Sequence, residues 1–333
     1  MVNNQIAVLA PDKYFFSSFN EKARAELVEL GWSGKTFGDV PTLEKAKEQI
    51  VGAQVAITSW DSIQFNSDML AVAPDLKLIC HAAGSVKPIV CPEVWQRSIR
   101  VTSAAAAIAI GVGEHSLGLL LSAMKNCYAI NAALKTNQLV DKEKARIVEM
   151  YGIKVGVIGC GLTGRHFIKL LGNFDIDEIA VYDPFVGADD IGKMGCRKVD
   201  LDELMSICHV VVIHAPRLPE TRHIINKNNL RLLKDNAIIV NTGSGWLIDE
   251  DALIAELKNR PIIAALDVTF PEPPAVDSEL RKLPNVILTG HIAGVAANNR
   301  WRIGNLVVRE IKNLFSGKQQ LYPVTEELLA RIA

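Results

Sequence analysis

Two side chains in the last third of the chain are of the right kind to move a proton. They are His291, in Gly290-His291-Ile292-Ala293-Gly294, and Glu272, in the proline-rich turn Phe270-Pro271-Glu272-Pro273. An imidazole titrates near neutrality, so it can give a proton to a carbonyl oxygen and take it back, and a carboxylate beside it fixes its tautomer. Such a pair suits carbonyl reduction by hydride. A second constellation, Gly159-Cys160-Gly161-Leu162-Thr163-Gly164, has the spacing of a dinucleotide-binding turn. Its first glycine permits a tight turn, its second lets a pyrophosphate approach the backbone, and its third lets the next helix pack closely. The helix N-terminus offers free N–H groups to the phosphates. Asp183 stands 19 residues beyond Gly164. A carboxylate there can accept from a ribose 2′-OH and would repel a 2′-phosphate, so NAD is the expected cofactor.

These groups need a frame. Within Lys154–Pro184, the apolar run Val155–Ile158, the glycine turn, the amphipathic run Arg165–Leu171 and the apolar run Ile179–Tyr182 predict strand, turn, helix and strand. Further strand signals at Val210–His214, Ala237–Asn241, Ile262–Val268 and Val286–Thr289 extend this into a doubly wound sheet. Upstream, Ile6–Leu9, Val55–Thr58 and Leu76–Cys80 alternate with helical patterns such as Glu21–Leu30 and predict a smaller parallel sheet. His115–Thr136 is expected as one long helix, apolar on most faces and therefore buried at a domain or subunit boundary. Asn137–Glu149 is polar and charged, and Arg302–Phe315 is an amphipathic helix able to return to the first domain. The chemistry falls at strand ends: His214-Ala215-Pro216, Asn241-Thr242-Gly243-Ser244-Gly245, the Asp267–Pro273 turn and the His291 run. The small residues Ala82–Val86 follow a strand too, either as an anion cradle of backbone N–H groups or as a plain turn.

The length of 333 residues allows two domains of ordinary size. With 36 basic and 37 acidic residues, neither nucleic acid nor an anionic membrane is an expected partner. Six cysteines (Cys80, Cys91, Cys127, Cys160, Cys196 and Cys208) show no CxxC pair, so free thiols are expected rather than disulfides or a metal site. The apolar stretch Ser103–Met124 is interrupted by Glu114 and His115 and predicts a buried helix rather than a membrane span. No signal-peptide pattern opens the sequence, so the expected class is a cytoplasmic α/β enzyme. His81, His115, His166, His209 and His223 are expected to be structural.

The sequence resembles the D-isomer-specific 2-hydroxyacid dehydrogenases over essentially its whole length. The resemblance is carried by Pro74–Ile79, Gly113-Glu114-His115-Ser116, the glycine turn with Asp183, His214-Ala215-Pro216 with Pro219-Glu220-Thr221, Asn241-Thr242, Ala265–Val268 with Glu272-Pro273, and Pro284-Asn285-Val286 with His291. It implies a Rossmann domain, residues 104–296, and a smaller, discontinuous flavodoxin-like α/β substrate domain, residues 1–103 and 297–333. The active site is then expected in the cleft, and a homodimer is implied. His291 becomes the proton donor and Glu272 its partner. Gly159, Gly161, Leu162, Thr163, Gly164, Asp183, Pro184, His214, Ala215, Pro216, Thr221, Thr242, Gly243, Ser244, Asp267, His291 and Gly294 would surround NAD. Ala83, Gly84 and Ser85 would hold the substrate carboxylate.

Two departures stand out. The family's catalytic Arg position, after Asn-Thr-small, is occupied by Ser244, which cannot offer a charged bidentate fork. The carboxylate loop reads Ala83-Gly84-Ser85-Val86-Lys87-Pro88, with a cation where the family usually has an acid. Two functions follow: an NAD-dependent interconversion of 2-hydroxy and 2-oxo acids in which Arg217 or Lys87 supplies the missing charge, or an NAD(H)-binding redox-sensing or interaction module without turnover. Trp246, just after the altered motif, either lines the pocket or packs beneath it.

Overall fold

The computed structural model describes residues 5–294 and 297–332. In chain order the strands are β1 (Ile6–Val8), β2 (Val55–Thr58), β3 (Leu78–His81), β4 (Arg100–Ser103), β5 (Lys154–Ile158), β6 (Glu178–Tyr182), β7 (Arg197–Lys198), β8 (Val210–Ile213), β9 (Ile238–Asn241), β10 (Ile263–Leu266), β11 (Val286–Leu288) and β12 (Pro323–Val324). The chain divides into two compact units, residues 1–108 with 295–333, and residues 109–294.

The larger unit is a seven-stranded sheet in the order β11-β10-β9-β8-β5-β6-β7, parallel throughout. The order reverses between β5 and β8, and ligands of open α/β sheets bind in the crevice at such a reversal. Strands of this kind are buried on both faces, which is why they are runs of Val and Ile rather than alternating patterns. Alternate residues of β5 feed two cores: Ile158 packs with Leu204, Leu230, Ile239 and Leu253, and Val155 and Val157 with Leu120, Phe167 and Val212. Gly156 lies against Leu204, leaving no room for a side chain.

The smaller unit holds β1-β2-β3-β4-β12, with only β12 antiparallel. A single parallel bridge from Ile6 to Trp32 adds a vestigial strand on the other side of β1. The spatial order is therefore the flavodoxin-like one. The helix Ala297–Phe315 brings Ile303, Val307 and Ile311 into the core formed by Phe15, Phe19 and Leu27.

One expectation is corrected. His115–Thr136 is not a single helix: a helix runs Ala105–Met124, and a second runs Cys127–Lys135. Asn126 breaks them with φ of +52°, and its side-chain amide donates to the Glu143 carbonyl (3.1 Å). Among the described residues Ala105–Met124 is long and apolar enough to cross a membrane by length and composition, and its Leu119, Leu120, Ala123 and Met124 are buried in a sheet-facing core. Four of the six cysteines are buried, and all six are free. Burial pushes the thiols of Cys80 and Cys208 up to about 12, which makes them inert at neutral pH.

Candidate active site

The glycine turn joins β5 to the helix Leu162–Leu171 at the point where the sheet order reverses. Gly159 has φ of +96°, and a Cβ there would lie 2.6 Å from the Ala215 nitrogen. A Cβ on Gly164 would lie 2.0 Å from the Gly159 carbonyl oxygen, so the helix can approach only without one. Gly161 faces open space and caps the helix without a side-chain hydrogen bond, leaving the N-terminal N–H groups to an anion. Asp183, at the end of β6, accepts from the N–H groups of Cys160 (2.7 Å), Phe185 (2.8 Å) and Val186 (3.1 Å). These bonds aim the carboxylate back at the turn, as a ribose acceptor requires. His214, at the end of β8, is buried against Phe167, and neither ring nitrogen has a hydrogen-bond partner. Burial drives its pKa down to about 3, so the ring is neutral at physiological pH. An open anion-ready helix end, an aimed carboxylate and an unpartnered buried imidazole fit a dinucleotide.

The two candidate side chains meet: His291 Nδ1 hydrogen-bonds Glu272 Oε1, and both are exposed. His291 sits in the left-handed region, φ +61°, directly after Gly290 at +72°. That conformation costs a non-glycine residue about 1–2 kcal/mol, and Asp267 holds it in place. The Asp267 carbonyl accepts from His291 N–H (2.6 Å), and its carboxylate accepts from the N–H groups of Ile292 and Ala293 (3.0 Å each). Thr289 Oγ1 donates to the same carboxylate (2.5 Å), and His115 Nε2 lies 3.4 Å from it. Asp267 was expected beside the cofactor; its carboxylate is also hydrogen-bonded to the turn that carries His291. His115, expected to be structural, belongs to this network. Separately, the Ser116 hydroxyl hydrogen-bonds Thr242 Oγ1 (2.7 Å). The run Gly113–Ser116 was visible in the sequence, but its role depends on contacts more than a hundred residues away.

Ser244 accepts a hydrogen bond from the Trp246 N–H (3.3 Å) and caps the short turn Gly245–Leu247. Thr221 Oγ1 donates to the Pro216 carbonyl (2.7 Å) and accepts from Leu218 N–H (2.9 Å), which fixes the loop after His214. Arg217 is exposed on that loop and lies over the Trp246 ring. In the smaller unit, the turn at Ala83–Ser85 follows β3. Ser103 Oγ donates to the Gly84 carbonyl (2.8 Å), and Ala104 N–H donates to the Ala83 carbonyl (3.0 Å). His81 Nδ1 pairs with Thr58 Oγ1 (3.0 Å), and burial lowers its pKa to about 4. Lys87 Nζ donates to the Ile332 carbonyl (2.6 Å), so this ammonium is engaged within its own unit.

A parallel sheet with a glycine turn at its reversal, an acid ending its second strand and a His–Glu pair drawn from the ends of its last two strands define a dinucleotide-binding fold. Residues 117–293 match the family described as D-isomer specific 2-hydroxyacid dehydrogenase, NAD binding domain, and the chain belongs to this family. It is 35% identical over 279 residues to a D-3-phosphoglycerate dehydrogenase of Methanocaldococcus jannaschii, covering 83% of this chain and 52% of that protein. It is 30% identical over 272 residues to a glyoxylate reductase of Thermofilum pendens, covering 80% of each. The chain spans about half the length of the phosphoglycerate dehydrogenases it matches. The fold is that of a phosphoglycerate oxidoreductase from Rhizobium etli, with a TM-score of 0.84 at 20% identity over 97% of this chain and 99% of that one.

Proposed function

We propose that this protein is an NAD-dependent oxidoreductase that interconverts a 2-hydroxy acid and a 2-oxo acid. The observation that carries this reading is the His291–Glu272 pair on a turn clamped by Asp267. NADH, when bound, supplies the hydride. Glu272 accepts a hydrogen bond from the Nδ1–H of the His291 imidazolium, which leaves the Nε2–H directed at substrate as the proton donor; His291 is then a neutral imidazole that keeps its Nδ1–H, and in the oxidative direction its bare Nε2 receives the proton back. Gly159, Gly161, Leu162, Thr163 and Gly164 would hold the pyrophosphate, and Asp183 with Pro184 the adenosine ribose. His214–Pro216, Thr242–Ser244 and Gly294 would line the rest. Arg217 is the cation assigned to the substrate carboxylate in place of the Arg that Ser244 replaces. The exposed Tyr128, Leu134, Leu139, Ile147, Val148 and Tyr151 support a homodimer through the segment 127–151; light scattering that finds a monomer would remove that part of the proposal.

The test is NADH oxidation against a panel of 2-oxo acids. Turnover on at least one supports the enzyme. NADH binding without turnover on any favours the second reading, a redox-sensing or interaction module, for which the capping role of Ser244 is the specific observation. Replacement of Asp183 by alanine should relax the preference for NAD over NADP. The removed carboxylate both accepts from the ribose and repels a 2′-phosphate, so an unchanged NAD/NADP ratio of kcat/KM would show that the ribose is held elsewhere.

A further inference from the structure

Trp246 carries two guanidinium groups. The Cζ of Arg222 lies 4.6 Å from the ring centroid and that of Arg217 5.0 Å. Phe270 meets the indole edge-on at 5.3 Å, and Arg217 also lies over the Phe270 ring, at 5.8 Å. The indole is fixed to the loop that bears both arginines: its Nε1–H donates to the Leu218 carbonyl (3.1 Å), and the His223 N–H donates to the Trp246 carbonyl (3.1 Å). Stacking of this kind holds each cation against the ring. It fixes where the charges sit without neutralising them. Among the described residues neither guanidinium pairs with an acidic side chain, and Glu250 accepts instead from the Phe270 N–H (2.6 Å). Two like charges on one ring with no counter-ion make a ready anion site.

Its place in the fold ties it to the reaction. The arginines follow β8, and Trp246 follows β9, at the carboxyl ends of the strands. Gly245 packs directly on the Thr269–Phe270 backbone, where a Cβ would lie 2.0 Å from the Thr269 carbonyl carbon. That segment runs on within two residues to Glu272, the partner of His291. The cation pair and the proton-transfer pair therefore flank one short stretch of chain. Arg217 lies over both Trp246 and Phe270, the latter two residues from Glu272, and Arg222 lies over Trp246.

We propose that Arg222 is a specificity residue for a second acidic group, and that the preferred substrate is a dianionic 2-oxo acid bearing a carboxylate or phosphate at its far end. Arg217 takes the reactive carboxylate and Arg222 the distal anion. This rests on the dehydrogenase reading for its substrate class, but the anion site itself does not.

The experiment compares matched substrates: 2-oxoglutarate with 2-oxopentanoate, and 3-phosphohydroxypyruvate with hydroxypyruvate. The dianion of at least one pair should be preferred in kcat/KM by about tenfold or more, the worth of a charge-assisted contact. The pair with the larger ratio tells carboxylate from phosphate. Arg222→Gln should collapse that ratio mainly through KM, and Arg222→Lys should restore part of it. Equal treatment of both members of both pairs, or a ratio unchanged in Arg222→Gln, overturns the proposal. If no 2-oxo acid turns over, the dehydrogenase reading fails. Calorimetric titration with malonate and with inorganic phosphate then decides the site alone: binding about tenfold weaker in the Arg217→Gln, Arg222→Gln protein upholds it, and equal binding overturns it.

Discussion

Replacing His291 with alanine should lower kcat for 2-oxo acid reduction by about 10²–10⁴-fold, the usual contribution of a positioned general acid. NADH should still bind, because the glycine turn and Asp183 are untouched. The two readouts separate the roles this residue could play. Lost turnover with retained NADH fluorescence enhancement assigns it to proton transfer. Loss of both makes it part of the cofactor pocket, and unchanged kcat places the proton donor elsewhere. Glu272→Gln should be milder. It keeps the size of the partner but removes the charge from the hydrogen bond to His291 Nδ1, an effect of about tenfold or somewhat more.

Asp267→Asn is expected to damage both activity and stability although its carboxylate is spent on its own chain. The residue is 2% exposed, and its carboxylate is surrounded by donors from Thr289, Ile292, Ala293 and His115. An amide sets an N–H₂ group against one of those donors and cannot satisfy all of them. Stability should fall by about 3–5 kcal/mol, as for a broken buried charged contact. The His291 turn loses its anchor, and a displacement of about 1 Å at a reacting group costs roughly 10²-fold in rate. A variant with wild-type Tm and kcat would remove Asp267 from the positioning role.

The same network sets an acid limit. Burial by itself raises the pKa of Asp267, but the His115, Thr289, Ile292 and Ala293 donors outweigh it and hold the carboxyl well below the usual carboxylate range. A group whose folded pKa is depressed stabilises the fold fully above its unfolded value, about 3.9. That stabilisation is lost as pH falls from there toward the folded value. Acid unfolding between about pH 4 and pH 2 should therefore be shallower in Asp267→Asn than in the parent.

The dinucleotide turn was legible in the sequence because its parts are contiguous: strand, Gly159–Gly164, helix, strand and Asp183 lie within one βαβ unit, and their spacing is the geometry. The two-sheet architecture was legible for a related reason, since buried parallel strands appear as apolar runs. The departure at Ser244 could be seen too, because it interrupts a recognisable run. Its hydroxyl as a cap on Trp246 could not, since that depends on the backbone of the following turn. Strands β4 and β12 were not anticipated: β12 pairs with β4 across more than two hundred residues, and at two residues it has no pattern of its own. The helix break at Asn126 escaped as well, because the apolar positions run on through it while a left-handed residue and the Glu143 carbonyl end the helix.

By itself, then, the sequence determined the sheet classes, the cofactor turn and the identities of the proton-transfer candidates, all of which depend on local spacing and residue type. Tertiary structure alone decided that Glu272 meets His291, that Asp267 clamps their turn, and that Arg217 and Arg222 share one indole. Each of these joins strand-end loops distant in sequence, and only the parallel sheet, by bringing the carboxyl ends of its strands to one edge, makes them neighbours.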